Sequence, residues 1–170
     1  CCPESNNGTQ TPNTNLEKTC VNPTLLINTV NLNLIVQETD LSYSGRGPDI
    51  EITRTYNADD SRDDPFGRSW TFNYNVTLTE NPNGSVDIRR ETGTIHHFNS
   101  AGGGRYYSPK GVYDTLIKNT DGTYSLKLKG SKITQKFSSD GKLISITDRN
   151  GNSVTLQYDL LNRLVSITDA

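Results

Sequence analysis

Asp59-Asp60-Ser61-Arg62-Asp63-Asp64 packs four carboxylates into six residues, the densest set of potential ligands in the chain. Hard oxygen donors this close could hold Ca²⁺, which takes roughly six to eight oxygen ligands. The plain alternative is a solvated loop before Pro65, capped locally by its own Asp side chains. His96 and His97 are adjacent, so on a strand they point to opposite faces and cannot chelate one ion together. With no other His in the chain, no zinc site is expected. Asp148-Arg149-Asn150-Gly151-Asn152 has some residue types of a calcium loop, but its Gly stands fourth where such loops place it sixth. Asn150-Gly151 reads better as a hairpin turn that needs positive φ angles.

Catalytic constellations are absent from the sequence. There is no Gly-x-Ser-x-Gly elbow, no phosphate-cradling glycine loop, and no Cys with a plausible His base. Gly102-Gly103-Gly104 lacks a strand-to-helix setting and reads as a flexible loop. Asp59 and Asp63 could in principle exchange protons, but nothing apolar beside them would raise one pKa. The sequence predicts neither an enzyme nor a cofactor. A net charge of −2 and a pI near 5.7 give no nucleic-acid footprint and no polybasic membrane patch. No apolar run is long enough to span a bilayer.

The cysteines carry more information. Cys1, Cys2 and Cys20 all lie in an Asn-, Thr- and Pro-rich opening, and an odd count in an exported chain leaves one thiol with another fate. Vicinal Cys1 and Cys2 are poor partners because their ring strains the peptide between them. Cys20 pairing with Cys1 or Cys2 would close a loop of about 20 residues, worth roughly 3 kcal/mol in the chain-entropy model. The spare Cys then has three options: a link to a neighbouring subunit, a lipid on Cys1, or a free thiol. Reduction of all three is the bland alternative.

These residues must be positioned by β-structure, since no segment shows a sustained helical period. Hydrophobic content is only 31% and mean hydropathy is −0.66, yet apolar residues recur at strand spacing from about residue 24. Ile50 to Tyr56 reads as a half-buried strand. Trp70-Thr71-Phe72-Asn73-Tyr74-Asn75-Val76-Thr77-Leu78 reads as one long strand, with every second side chain large and apolar. Its apolar face is expected to meet Ile50, Ile52 and Tyr56, with Phe66 and Trp70 anchoring the Pro65-Phe66-Gly67 turn. Asn83-Gly84 and Asp121-Gly122 mark further hairpins. The predicted class is all-β: an antiparallel module followed by a ribbon of β-hairpin repeats.

The ribbon is visible because one segment occurs twice. Phe137-Ser138-Ser139-Asp140-Gly141-Lys142-Leu143-Ile144-Ser145-Ile146-Thr147-Asp148 returns as Tyr158-Asp159-Leu160-Leu161-Asn162-Arg163-Leu164-Val165-Ser166-Ile167-Thr168-Asp169. A fixed period of about 20 residues implies small units that bury apolar surface only by stacking. Leu143, Ile144 and Ile146, with their counterparts Leu164, Val165 and Ile167, are the expected repeat core. The turns are expected at Asp140-Gly141 and Leu161-Asn162.

Tyr158-Asp159-x-x-Asn162-Arg163-Leu164 resembles the YD repeat of the rearrangement-hotspot (Rhs) proteins and teneurins. Thr147 to Tyr158 is similar to the same pattern, whereas Phe137-Ser138 departs from it. Glu38 to Pro48, Thr53 to Asn57 and Pro65 to Thr71 resemble the region that opens many bacterial YD-repeat chains. The resemblance covers roughly residues 21 to 170. It implies a β module over 21–115 and YD-type hairpins over 116–170, while residues 1–20, an irregular Cys-containing tail by composition, match no part of it.

Two functional expectations follow. The resemblance implies a non-enzymatic, extracellular or cell-surface module that starts a repeat shell around a toxin or effector. The alternative is a stand-alone secreted protein that self-assembles into a filament by strand exchange, its partners being other copies of itself. An open β edge favours pairing in either case, with further repeats of the chain or with another subunit.

Overall fold

The computed structural model describes residues 23–170 except 28 and 30; Cys1, Cys2 and Cys20 lie outside the described residues. Every regular element described is a strand. β1 (Thr24–Ile27), β2 (Leu34–Tyr43) and β3 (Ile50–Asn57) form an antiparallel meander. A two-stranded ribbon of β4 (Asp63–Asp64) and β5 (Gly67–Arg68) follows, and β6 (Trp70–Phe72) then adds to β3 to make a four-stranded sheet. The rest of the chain is one ten-stranded antiparallel sheet in chain order. Its strands are β7 (Thr77–Glu80), β8 (Val86–Arg89), β9 (Ile95–Gly102), β10 (Arg105–Tyr107), β11 (Thr115–Lys118), β12 (Tyr124–Lys127), β13 (Thr134–Phe137), β14 (Leu143–Thr147), β15 (Ser153–Tyr158) and β16 (Leu164–Thr168). The division expected between residues 115 and 116 falls inside this sheet, within β11.

Trp70 to Leu78 is not one strand. Trp70 and Phe72 pair with Tyr56 and Arg54 of β3, whereas Leu78 pairs with Ile88 of β8 in the other sheet. Asn73 makes the switch. Its Oδ1 accepts the Thr53 N–H at 3.0 Å and its Nδ2 donates to the Glu51 carbonyl at 2.8 Å. The Asn75 N–H then turns back to the Phe72 carbonyl at 2.9 Å. The side-chain amide mimics a ladder residue, so the alternating pattern continues while the backbone leaves the sheet. Tyr74 and Val76 follow into the core at 3% and 1% exposure. Phe66 stays 46% exposed and meets Phe72 edge-on at 5.2 Å, while Trp70 leans on Tyr56 at 5.4 Å.

The ten-stranded sheet buries one face, most deeply over its central strands. Val86, Ile88, Phe98, Leu116, Tyr124, Leu126, Phe137 and Leu143 are each at most 1% exposed. Cross-strand register joins them into a stripe, through Val86↔Phe98, Leu116↔Leu126, Tyr124↔Phe137 and Phe137↔Leu143. β-Bulges correct the expected repeat core. Lys136 pairs with Ser145 but Phe137 pairs with Leu143, so Ile144 is an extra residue. In the second copy Gln157 pairs with Ser166 and Tyr158 with Leu164, making Val165 the extra one. A bulge reverses side-chain parity. Leu143 and Ile146, three apart, therefore both meet the core, as do Leu164 and Ile167. Ile144 is only half-buried, and Val165 is 61% exposed.

The hairpin turns also differ from the two-residue turns expected. At Asn81, Arg90, Asn119, Ser138, Asp148 and Asp159 the same pair of bonds recurs: the N–H of residue i donates to the carbonyl of i+4, and the N–H of i+3 to the carbonyl of i. Only residue i+3 has positive φ, from 64° at Asn162 to 91° at Gly151. This is the three-residue hairpin with a left-handed fourth residue.

Candidate functional site

Two places close the fold, one between the sheets and one within the large sheet, and both use residues that the sequence singles out. The first is the acidic loop. Asp60 is wrapped by Arg62, whose Nε and Nη2 reach its two oxygens at 2.9 Å, and Arg89 Nη2 donates to Asp60 Oδ2 at 2.9 Å. Arg89 Nη2 also contacts the Asp64 carboxylate. The Arg89, Asp60 and Asp64 side chains are only 10%, 8% and 16% exposed. The Arg62 hydrogen bonds, assisted by Arg89 and opposed by burial, hold the Asp60 carboxyl well below the usual carboxylate range.

Asp59 turns away, accepting from Asn31 Nδ2 at 3.0 Å, and Asp63 sits exposed on β4. The four carboxylates are thus not convergent. Among the described residues no group of three His, Cys, Asp or Glu side chains is placed to hold a metal. The arrangement is a clamp: Arg89 closes β8 of the large sheet onto the loop after β3 of the small one. Asn57 Nδ2 reinforces it by donating to the Thr92 carbonyl at 2.8 Å. His96 and His97 lie on β9, where His97 Nδ1 meets Asp87 Oδ1 at 2.5 Å and holds the Asp87 carboxyl low. Gly102-Gly103-Gly104 is the connection from β9 to β10, with positive φ at all three residues.

The second junction is a seam where the large sheet returns to its own first strand. β7 and β14 lie seven places apart in the strand order. Even so, Thr77 bridges Lys142, and the Leu78 N–H donates to the Gly141 carbonyl at 2.8 Å. Glu80 strengthens the return, accepting from Lys118 Nζ and from the Tyr124 hydroxyl at 2.8 Å each. Gly141 is required here, because a Cβ would stand 1.8 Å from the Leu78 carbonyl oxygen.

The repeated Tyr-Asp pair has a separate task for each residue. Tyr158 donates its hydroxyl to the Leu143 carbonyl at 2.9 Å, tying β15 to β14 beside the seam. Burial, with a contribution from Asp140, pushes its phenol up to about 12. Asp159 Oδ1 accepts the N–H groups of Leu161 and Arg163 at 2.9 Å each, and Oδ2 accepts from Arg163 Nε at 2.7 Å. In the variant copy, Ser138 Oγ accepts the Lys142 N–H at 3.0 Å and caps its turn alone. Between the last turn and the small sheet lies a mostly apolar groove of about 660 Å³, walled by Ile52, Pro65, Phe66, Phe72, Tyr158 and Leu164.

Comparison with known proteins agrees with this geometry. A family model described as the RHS repeat matches residues 137–170, and one described as a domain of unknown function (DUF6531) matches residues 26–98. The chain belongs to the Rhs/YD-repeat family. Curated relatives include the tRNA nuclease WapA of Bacillus subtilis strain 168, 35% identical over 132 residues. The tRNA3(Ser)-specific nuclease WapA of Bacillus spizizenii is 34% identical over the same length. Each alignment takes in 78% of this chain and 6% of the relative. The chain therefore corresponds to a small part of those Rhs/YD-repeat proteins.

Proposed function

We propose that this chain is a non-catalytic, extracellular or cell-surface scaffold: the opening of an Rhs/YD-type β-shell that carries a toxin or effector encoded elsewhere in a longer protein. The observation that carries the reading is the seam. The turn at 138–142 docks on β7, and the next turn on the same rim, at 159–163, lines a groove with Pro65 and Phe66 of the β4–β5 ribbon and Phe72 of the small sheet. Successive turns thus step along one track, and another hairpin would pair with β16 and continue it. The relatives are named as tRNA nucleases, and the matched part is 6% of their length. A nuclease activity in the full-length protein would then belong to segments outside the one matched here.

The test is to append one more copy of the 21-residue hairpin unit after Asp169. The expected result is a higher thermal midpoint and new hydrogen-exchange protection along β16, as nearest-neighbour coupling requires. An added hairpin that exchanges freely and leaves the midpoint unchanged overturns the shell reading. Concentration-dependent polymers of the unextended chain in light scattering would instead support the filament, whose exposed edge would be β1 with Leu25 and Ile27, each 63% exposed.

A further inference from the structure

The rim opposite the seam carries a cleft of a different character. It has a volume of about 790 Å³ and lies on the outer face of the large sheet, where β11, β12 and β13 end. Lys127, Lys129, Lys132 and Arg149 line it with one carboxylate, Asp148, while a second, Asp114, accepts the Lys129 backbone N–H at 3.0 Å beside it, leaving four cations against two acids. This is a local positive field on a chain whose net charge is −2.

The cations are collected by the fold. Lys127 ends β12 on the face opposite Leu126, which goes into the core, and Lys129 follows in the turn between Leu128 and Ile133. Lys132 closes the Leu128–Ile133 turn with φ at 58°, a left-handed conformation uncommon for a residue with a long side chain. Arg149 projects from the Asp148–Asn152 turn of the next hairpin. Among the described residues no ion pair involves these four groups, although Lys118, Lys136 and Lys142 each have a carboxylate partner. Asp148 does not neutralise them. Its oxygens are taken by the N–H groups of Asn150 and Asn152, at 2.7 and 3.0 Å, and by Asn152 Nδ2 at 2.9 Å.

We propose that this cleft binds an extended phosphate-bearing polyanion, whose phosphates replace the missing counter-charges. Lys supplies mobile point charges for phosphate oxygens and Arg149 a planar fork. The volume exceeds what a single phosphate fills, and the cleft is open, so a polymer can pass through it. The aromatic neighbour argues against base recognition. Tyr113 is 72% exposed, but one face of its ring is already taken by Lys129 Nζ at 4.9 Å, so a base stacking there would have to displace a cleft cation. The ligand is read as charge along a backbone.

Calorimetric titration of the chain with inorganic polyphosphate, inorganic monophosphate and an RNA of matched charge tests this. Polyphosphate should bind with an affinity that falls steeply with salt, and monophosphate at least about tenfold more weakly, since fewer counter-ions are released. The triple variant Lys129→Gln, Lys132→Gln, Arg149→Gln should lose at least about tenfold in polyphosphate affinity. It should keep its thermal midpoint, because like charges have been removed and no packing has been lost. The Lys129→Arg, Lys132→Arg variant should retain binding, and Lys136→Gln, outside the cleft, should match the unmodified chain. Absence of polyphosphate binding at low salt, an unaffected triple variant, or an equal loss in Lys136→Gln overturns the proposal. So does tighter binding of RNA than of polyphosphate, which would mean that bases are recognised.

Discussion

The ten-stranded and four-stranded sheets are both antiparallel, yet they bury different chemistry. The large sheet hides Phe98, Ile88, Leu126 and Phe137, and its hairpins stack through them. The small sheet hides Thr55 and Thr71, cross-strand partners at 2% and 1% exposure, together with Asn57 at 8%. Its outer charges are satisfied within itself, where Arg54 reaches Asp40 and Glu38 and stands 5.5 Å over the Trp70 ring. One sheet coheres by apolar burial. The other docks by directed polar contacts, of which the Arg89 clamp is the most buried. Apolar stacking can be extended unit after unit, because any hairpin with the right inner residues fits. A polar dock fits one partner.

The largest expected effects test whether the apolar side is the stronger. Phe98→Ala should cost about 3–5 kcal/mol, the range for a fully buried ring. Phe72→Ala, at the half-buried boundary between the sheets, should cost about 2 kcal/mol. Chemical denaturation would check the order, and equal losses would erase the contrast.

Arg89→Met probes the polar side and should cost about 3 kcal/mol, because Asp60 and Asp64 are left buried without their shared cation. The same clamp predicts an acid limb. The folded-state pKa of Asp60 lies below that of the unfolded chain. Its contribution is therefore complete above the ordinary carboxylate pKa and is lost as pH falls below about 4. Arg62→Met removes the largest cause of that depression and should flatten the limb, as thermal midpoints across pH would reveal.

The all-β class and the hairpin ribbon were legible because apolar alternation and Asp-Gly or Asn-Gly pairs mark strands and turns locally. The break after Phe72 was hidden because an asparagine amide stands in for a strand residue, and alternation cannot register that substitution. Val165 was misread for a similar reason: the bulge that exposes it is set by pairing across strands, and Ile144 takes the matching extra position while staying half-buried. The link from Asp60 and Asp64 to the large sheet was hidden because their shared cation, Arg89, lies 29 and 25 residues downstream, whereas Arg62, which holds Asp60 most strongly, stood in view inside the loop.

The seam offers a smaller and more local test. Gly141 and Gly151 occupy the same turn position with φ at 85° and 91°, so alanine strains both backbones alike. Around Gly151 a Cβ meets nothing within 4 Å, whereas at Gly141 it runs into Leu78. Gly151→Ala should cost about 1 kcal/mol. Gly141→Ala should cost about 2–3 kcal/mol, and should selectively release the Leu78 amide in hydrogen exchange. Equal costs would show that the return of the sheet onto β7 contributes nothing to stability.

The smallest effect separates the two copies of the repeat. Asp159 accepts two backbone N–H groups in its turn and anchors Arg163, whereas Ser138 accepts one N–H and donates its hydroxyl to Asp140 Oδ1 at 2.5 Å. A charged acceptor for several donors is stronger than a hydroxyl serving one. Asp159→Ala should therefore cost about 1 kcal/mol, and Ser138→Ala about half as much. The copy with Phe137 at 0% exposure can tolerate the weaker cap, since its hairpin is already fixed by the buried ring and by the seam. Tyr158 is itself tied to the Leu143 carbonyl of β14, and Asp159 fixes the turn that follows it. If Ser138→Ala proves the costlier change, the cap in the first copy supports the seam, and the Tyr-Asp pair owes its form to the demands of stacking instead of turn formation.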